Sequence, residues 1–344
     1  MGAGWRRCVA GLLSAALGLG PGPGAANPPD KDERVSLRIA TVATEGSPWL
    51  VGLQEMCGRV ERNTGNKVRC RVFGGAVRGD EIGQVKAVQD GELEGFAGSA
   101  GGLVPAVPEI AALELPFMFE AEEEVDRVLE VVWPRVAAVL RRRGLHLVAM
   151  SEVGFRSLAS TRPVQRLSDL AGLRVRAMEN PVHAEMWKRF GAEPVPLGVT
   201  QVLGALEEGR VHGADHAPSY AFGASWFQPA RHFLLTRHMY QPGVFVVSTR
   251  FFERLPKPAQ KHFSDGIPEI AQAMRERVRA LNREVLDMLP SAGVAVRSVD
   301  PALRAQLVQR AIPLRDQFRK TQSRAGRELL EAVESELARL RRRL

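Results

Sequence analysis

The chain has 344 residues, of which 45% are apolar and 25% charged, a composition typical of globular proteins and a length that fits about two domains. The formal net charge is +8, but acidic residues are interleaved with the basic ones and only two tyrosines are present. A nucleic-acid surface needs basic residues alternating with stacking aromatic side chains, so the composition argues against nucleic-acid binding.

The N-terminus has the order of a secretory signal peptide. Arg6 and Arg7 precede a short apolar run at 8–19, and Gly24-Ala25-Ala26 offers small residues for cleavage. Because the run is too short to span a bilayer, we predict a signal peptide at 1–26 and a periplasmic protein, with a membrane anchor as the alternative. No cysteine follows the run, which argues against a lipoprotein anchor.

Two cysteines remain after the predicted signal peptide, Cys57 and Cys70. In an exported protein an even pair indicates a disulfide, which here would join the first helix to the strand that follows it. Two buried thiols are the alternative, and the sequence leaves both open.

The first half of the chain alternates between predicted strands and helices. Strands are predicted at 35–42, 67–73, 93–97 and 145–151, and helices at 49–65, 79–88 and 121–143. The opening β-α-β-α-β order predicts a parallel sheet with helices on its faces.

After Phe155-Arg156 the alternation starts again, which indicates a second α/β lobe. Strands are predicted at 173–178, 210–215 and 244–248, and helices at 181–190, 200–208, 257–288 and 300–343. We therefore predict an α/β, periplasmic-binding-protein-like fold with two lobes and a ligand cleft between them. Lobe I comprises 34–153 plus about 243–285, and lobe II comprises 154–242 plus about 286–344 with the C-terminal helices.

The βα unit at 167–190 carries the first functional signal. Asn180 supplies an N-cap oxygen and Pro181 fits the first helical position, so a helix should begin directly after the strand. Arg176 lies near the carboxyl end of that strand, where an anion is well placed to bind. A guanidinium makes two parallel charge-assisted bonds to a carboxylate. The alternative is a solvated arginine at the edge of the sheet.

Six segments in order carry a family resemblance. They are Glu45-Gly46-Ser47-Pro48-Trp49, Phe73-Gly74-Gly75 with Gly79-Asp80-Glu81, Val107-Pro108-Glu109 with Leu115-Pro116-Phe117-Met118-Phe119, Gly154-Phe155-Arg156, the stretch from Gly172 to Pro181, and Val211-His212-Gly213-Ala214-Asp215. Over roughly residues 36–300 the chain resembles the solute-binding subunits of tripartite ATP-independent periplasmic (TRAP) transporters, the DctP family.

The resemblance implies a two-lobe fold with hinge strands and long C-terminal helices that cross both lobes. It implies an organic anion whose carboxylate pairs with Arg176, with Arg156 adding to the clamp and with Asp215 and His216 lining the cleft opposite. The chain departs from the family pattern at 212–218. Because metal-dependent members use a carboxylate at the position of Asp215, the sequence leaves open whether a cation assists and which carboxylate is bound.

Four further residues complete the predicted site. We expect Asn180 and Ser99, together with Asp215 and His216, to hydrogen-bond the ligand, and Glu45 and Trp49 to line the other lobe. The charge of His216 is expected to respond to pH near neutrality. Other polar residues are predicted to lie on a solvated face, namely Arg231, His232, Arg237 and His238.

A periplasmic metal-dependent hydrolase using His212, Asp215 and His216 is the alternative function. Histidines four apart share a helix face, but Val211 and Gly213 favour a strand or turn, and no H-E-x-x-H frame is present. We therefore predict a non-enzymatic solute-binding protein with a small organic-acid ligand and TRAP permease subunits as partners. It needs no cofactor and no catalytic residue. A sensory binding subunit is a further alternative, and the oligomeric state stays open.

Overall fold

A computed structural model of the protein describes residues 34–342, without the side chains of residues 265 and 266. The predicted signal peptide at 1–26 lies outside the described residues. From 34 to 342, no helix is both long enough and apolar enough to cross a bilayer. The described chain is an α/β fold, so the predicted fold class is confirmed.

The described residues contain nine strands and eleven α-helices. The strands are β1 Val35–Ala40, β2 Val68–Phe73, β3 Gly95–Ser99, β4 Leu145–Ser160, β5 Arg174–Ala177, β6 Glu193–Pro196, β7 Gly213–His216, β8 His232–Ser248 and β9 Ala295–Ser298. The helices are α1 Pro48–Asn63, α2 Glu81–Asp90, α3 Ala100–Leu103, α4 Glu122–Arg141, α5 Pro181–Phe190, α6 Val202–Glu207, α7 Pro218–Gly223, α8 Thr249–Arg254, α9 Lys257–Met288, α10 Pro301–Thr321 and α11 Arg324–Arg341.

All nine strands belong to one sheet, with the order β2-β1-β3-β8-β4-β7-β5-β6 and with β9 beside β8. β4 and β8 are 16 and 17 residues long and pair antiparallel along their length. Parallel strands β1, β2 and β3 join the ladder where β3 pairs with 243–247 of β8, whereas β7 pairs with 157–160 of β4. Two groups of parallel strands therefore lie at opposite ends of one shared antiparallel pair.

The apolar core is divided between the two ends of the sheet. Around β1–β3, α4 and α11 pack Val128 and Leu330 into one cluster, and α1 packs Leu53 into another. Around β5–β7, α5 and α10 contribute Trp187 and Leu307 to a third cluster. Helix α9, with 32 residues, contributes to the α1 cluster and, near its C-terminal end, to a fourth. The long helix thus crosses from one end of the molecule to the other.

The βα unit at 167–190 folds as its local signals predict. Strand β5 is followed by Asn180, whose side-chain oxygen accepts a hydrogen bond from the Val182 amide at 3.0 Å, and Pro181 opens α5. Gly191 ends α5 with a φ of 98°, a backbone conformation that costs glycine nothing. Short-range chemistry alone fixes where this helix begins and ends.

Several element boundaries differ from the predictions. β4 and β8 are far longer than the predicted strands at 145–151 and 244–248, and β6 and β9 were not predicted. The helix predicted at 300–343 is broken, because the Ser323 hydroxyl accepts a hydrogen bond from Gly326 N and starts α11. The predicted lobe boundaries stay a prediction.

Cys57 on α1 and Cys70 on β2 form a disulfide with their Cα atoms 5.2 Å apart. Of the two alternatives that the sequence leaves open, the structure has the disulfide. The bond ties the first helix to the edge strand of the sheet, where β2 has a neighbour on one side only.

Candidate functional site

A cavity of about 280 Å³ opens where several strands end. Thr41 follows β1, Ser99 ends β3, Met178 follows β5 and His216 ends β7, and all four line the cavity. The carboxyl ends of parallel strands from both ends of the sheet therefore meet here, which is where α/β sheets bind ligands. Apolar side chains of α9 close one wall, namely Val278, Leu281, Val285 and Met288.

Arg176 presents a buried guanidinium to this cavity. The side chain is 4% exposed, and its Nε donates a hydrogen bond to the carbonyl of Leu197 at 2.9 Å. Its two terminal nitrogens make no hydrogen bond with any described residue. Burial and repulsion from Arg156 lower the pKa of Arg176 to about 10, so it still carries its charge at pH 7. A buried, charged guanidinium whose terminal nitrogens have no protein partner is well suited to bind an anion.

The guanidinium nitrogens of Arg156, by contrast, all hydrogen-bond to protein partners, although the residue also lines the cavity. Its Nε donates to Asp215 Oδ2 at 2.7 Å, its Nη2 to the Asp215 carbonyl at 2.5 Å and its Nη1 to Gln241 Oε1 at 2.7 Å. The side chain is 0% exposed. These bonds hold the guanidinium rigidly, so one face of a fixed cation borders the cavity.

Asp215 lies behind Arg156 instead of at the cavity wall, which differs from the expected ligand contact. Its Oδ2 accepts hydrogen bonds from Arg156, from His183 Nε2 at 3.0 Å and from His238 Nε2 at 2.9 Å. Burial alone would raise the pKa of Asp215, but Arg156 and the histidines hold it well below its usual value. Asp215 therefore acts on the site through Arg156.

The prediction of a solvated face was wrong for His238, which is 0% exposed. Its ring packs against Trp187 and bonds Asp215 and Thr236. Because β8 continues through this segment, alternate side chains point into the core while Arg231 and Arg237 remain exposed.

His183, Asp215 and His238 bring ligand-type atoms within 4.8 Å of one another, the one such group among the described residues. His183 Nδ1 accepts a hydrogen bond from the Met178 amide at 2.9 Å, so the proton of the neutral ring is on Nε2 and points at Asp215. Burial lowers the pKa of His183 to about 4, which keeps the ring neutral. The group is a hydrogen-bonded cluster with no nitrogen lone pair of His183 left for a cation.

The constellation proposed for a hydrolase does not converge. His212 packs against Arg174, whose backbone amide donates to His212 Nδ1 at 3.2 Å, and it does not line the cavity. His216 does line the cavity, stacked on Tyr220 with ring centroids 4.1 Å apart. Residues 212, 215 and 216 thus face three different environments.

His216 offers a neutral donor to the cavity. Its Nδ1 accepts a hydrogen bond from Ala217 N at 2.9 Å, which leaves the proton on Nε2. Burial, with Arg156 and Arg176 nearby, holds the pKa of His216 well below its ordinary value. The sequence-based expectation of a charge that responds near neutral pH is therefore wrong.

Glu81 is a buried acidic residue of the cavity that sequence reasoning missed. Its Oε1 accepts from Ser99 N at 2.6 Å and its Oε2 from the Ser99 hydroxyl at 2.5 Å, and burial raises its pKa. Ser99 lines the cavity as predicted, but its hydroxyl donates to Glu81. Glu81 belongs to the Gly79-Asp80-Glu81 segment of the family resemblance. Its position at the start of α2, after a glycine turn, was the signal that could have identified it as a site residue.

The remaining predicted residues divide between the cavity and the protein interior. Trp49 lines the cavity and donates from Nε1 to the carbonyl of Glu152 at 2.9 Å, and the exposed Glu45 lies at the rim. Asn180 does not line the cavity, because its side chain caps α5.

Comparisons with known proteins identify the family of this chain. The family described as "Bacterial extracellular solute-binding protein, family 7", DctP, matches residues 39–321. A solute-binding protein of Verminephrobacter eiseniae is 31% identical, covering 88% of this chain and 90% of that protein. The 2,3-diketo-L-gulonate-binding periplasmic protein of Escherichia coli is 24% identical, covering 87% and 91%.

Solved structures show the same fold. A TRAP periplasmic solute-binding protein from Polaromonas sp. JS666, bound to D-erythronate, has a TM-score of 0.82 and 28% identity, covering 88% of this chain and 98% of that one. One from Desulfovibrio salexigens, with bound orotic acid, has a TM-score of 0.85 and 20% identity, covering 89% and 99%. These are two-lobe binding proteins, which confirms the predicted fold class. The chain therefore belongs to family 7 of the bacterial extracellular solute-binding proteins, which are the substrate-binding proteins of TRAP transporters and not enzymes.

Proposed function

We propose that this protein captures a hydroxylated monocarboxylate of the sugar-acid class in the cavity and delivers it to TRAP permease subunits in the membrane. The observation that carries the proposal is the Arg176 guanidinium, buried at the cavity with both terminal nitrogens unpartnered among the described residues. A ligand carboxylate satisfies that fork with two charge-assisted hydrogen bonds.

The balance of charge around the cavity supports a single carboxylate. Asp215 neutralises Arg156, so Arg176 is the cation of the described cavity lining with free hydrogen-bonding capacity, and the carboxyl groups of Glu81 and Glu45 line the same cavity. A second carboxylate beside Glu81 would be repelled, whereas a hydroxyl group can donate to Glu81. His216 Nε2 is placed to donate to a further ligand oxygen.

Two relatives support the same ligand class. The Polaromonas protein binds D-erythronate, and the Escherichia coli protein is named for 2,3-diketo-L-gulonate. Both ligands join one carboxylate to a short oxygenated chain. The apolar wall from α9 suits the carbon skeleton of such a molecule.

For localisation and partners, we infer that residues 1–26 are removed on export and that the mature protein works in the periplasm. The Cys57–Cys70 disulfide suits an oxidising compartment. Mass spectrometry of protein taken from the periplasmic fraction tests the cleavage, and loss of uptake on deletion of the TRAP permease subunits tests the delivery.

The ligand proposal is tested by calorimetric titration with D-erythronate, D-galactonate and D-glucuronate against succinate and malate. We expect the Arg176→Ala variant to bind at least about tenfold more weakly, because hydrogen bonds to charged groups contribute roughly 1.5–3 kcal/mol. Arg174→Ala is the matched control, since it removes an arginine of the same strand that does not line the cavity. Preference for the dicarboxylates, or equal binding by Arg176→Ala, would refute the proposal.

A further inference from the structure

We propose that the cavity between the end of β8, helix α8 and the turn after α4 is a second anion site, which binds a phosphate group. This cavity has a volume of about 300 Å³, similar to the ligand cavity. This second site does not depend on the function proposed for the ligand cavity. Three arginines, Arg143, Arg250 and Arg254, line it.

The walls of this second cavity are fixed by hydrogen bonds and by core side chains. Thr249 N donates to the Gly144 carbonyl and Ser248 N to the Glu94 carbonyl, both at 2.8 Å. The floor consists of apolar residues that are at most 4% exposed, namely Val88, Leu93 and Phe251. The three arginines are exposed and line a depression that has a buried apolar floor.

The charge of the lining is strongly positive. The guanidinium groups of Arg143, Arg250 and Arg254 form no ion pair and no hydrogen bond with a residue in the described range. The one acidic residue of the lining, Glu94, is already bound by Arg38, whose Nε and Nη2 donate to its two carboxylate oxygens at 2.9 and 2.8 Å. Three guanidinium groups consequently share one cavity without a counter-ion from the described protein.

A phosphate group fits this arrangement better than a carboxylate. Phosphate carries up to two negative charges and enough oxygens for several guanidinium forks at once, whereas one carboxylate satisfies one fork. Thr249 also lines the cavity, but its Oγ1 is closed to solvent, so the three guanidinium groups are the ones that would bind the phosphate. The shared chemistry is a phosphate mono- or diester, from a free compound or from a phospholipid headgroup.

The second cavity is separate from the ligand cavity. Leu93 and Glu94 precede β3, whereas Ser99 ends it at the ligand cavity. Five strand residues span roughly 17 Å. Binding here therefore requires neither Arg156 nor Arg176.

The test uses thermal unfolding with inorganic phosphate against sodium chloride at equal, low ionic strength, because salt screens exposed charges. Phosphate should raise the melting temperature more than chloride does. The double variant Arg143→Glu/Arg250→Glu should lose this difference, each substitution weakening phosphate binding about tenfold or more. The milder Arg250→Gln/Arg254→Gln variant should weaken it too.

Two control variants locate the effect. Arg297→Glu makes one such charge reversal, half that of the double variant, on β9 outside the cavity, and Arg176→Ala removes the guanidinium of the ligand cavity. Both should keep the response to phosphate. An equal response to phosphate and chloride, its survival in Arg143→Glu/Arg250→Glu, or its loss in Arg176→Ala would each overturn the proposal.

Sedimentation with phosphatidylcholine vesicles that contain phosphatidylglycerol distinguishes the two sources. Capture that depends on Arg143 and Arg250 assigns the site to a phospholipid headgroup. A response to inorganic phosphate without capture assigns it to a free phosphate compound. If Arg297→Glu reduces vesicle capture as much as Arg143→Glu/Arg250→Glu does, and inorganic phosphate gives no specific response, then the binding comes from diffuse surface charge. That result would reject the proposed site.

Discussion

Replacing Asp215 with asparagine removes the negative charge that faces Arg156 while keeping the size of the side chain. Both residues are 0% exposed, and Arg156 Nε lies 2.7 Å from Asp215 Oδ2. The amide oxygen of asparagine can still accept hydrogen bonds from His183 and His238, so the change isolates the loss of charge. Arg156 is left as a buried cation whose nearest anion is gone.

The expected cost is about 3–5 kcal/mol, the range for removing one partner of a buried ion pair. That is a large part of a total stability of about 5–15 kcal/mol. The pKa of Asp215 is lower in the folded protein than its unfolded value of 3.8, so its contribution is complete above pH 3.8 and disappears as the pH falls through the folded value. The difference between wild type and variant should therefore be full at pH 7 and shrink only in strong acid.

Urea unfolding at pH 7 measures this cost. The control is Asp316→Asn, which removes a carboxylate paired with Arg319 at the surface, and such pairs contribute little. If Asp215→Asn changes the free energy of unfolding by less than about 1 kcal/mol, or no more than the control, the burial of this ion pair has been misjudged.

Three further predictions concern other parts of the molecule. Burial raises the pKa of Glu114 from 4.5 to about 7, so the protein should lose roughly 3 kcal/mol of stability between pH 4.5 and 7 from this group. Glu114→Gln should abolish that loss in unfolding curves recorded across this range, and an unchanged pH profile would count against it. Reducing the Cys57–Cys70 disulfide should destabilise the protein by about 3 kcal/mol, measured by unfolding with and without reductant, because it frees a short loop; equal stability in both conditions would contradict this. Gly243→Ala would place a Cβ 2.1 Å from Trp49 Cζ2, so it should weaken sugar-acid binding by displacing the indole, and unaltered affinity by calorimetry would show that the wall adapts freely.

Local chemistry made the βα unit at 167–190 predictable. Asn180, Pro181 and Gly191 each carry a backbone preference that acts over a few residues, and α5 begins and ends where they place it. The capping bond directs the Asn180 oxygen toward α5 and the residue does not line the cavity, so its predicted contact with the ligand stays a prediction.

Long-range pairing explains what the sequence did not reveal. The full lengths of β4 and β8 depend on their pairing with each other, since polar residues such as Gln241 interrupt the apolar alternation that predicts a strand. His238 was misplaced for the same reason. The position of Asp215 behind Arg156 depends on which neighbouring strands meet at β7, and that contact spans 59 residues of sequence.

The register shifts in the β4–β8 ladder have a mechanical consequence. They fall between Leu147 and Ala149, between Glu152 and Gly154 and between Arg156 and Leu158, so the strand pairing is irregular on both sides of Arg156. A hydrogen-bonded ribbon bends most easily where its register breaks. Arg156, which borders the ligand cavity, therefore lies on the stretch of the ladder where a change in curvature costs least.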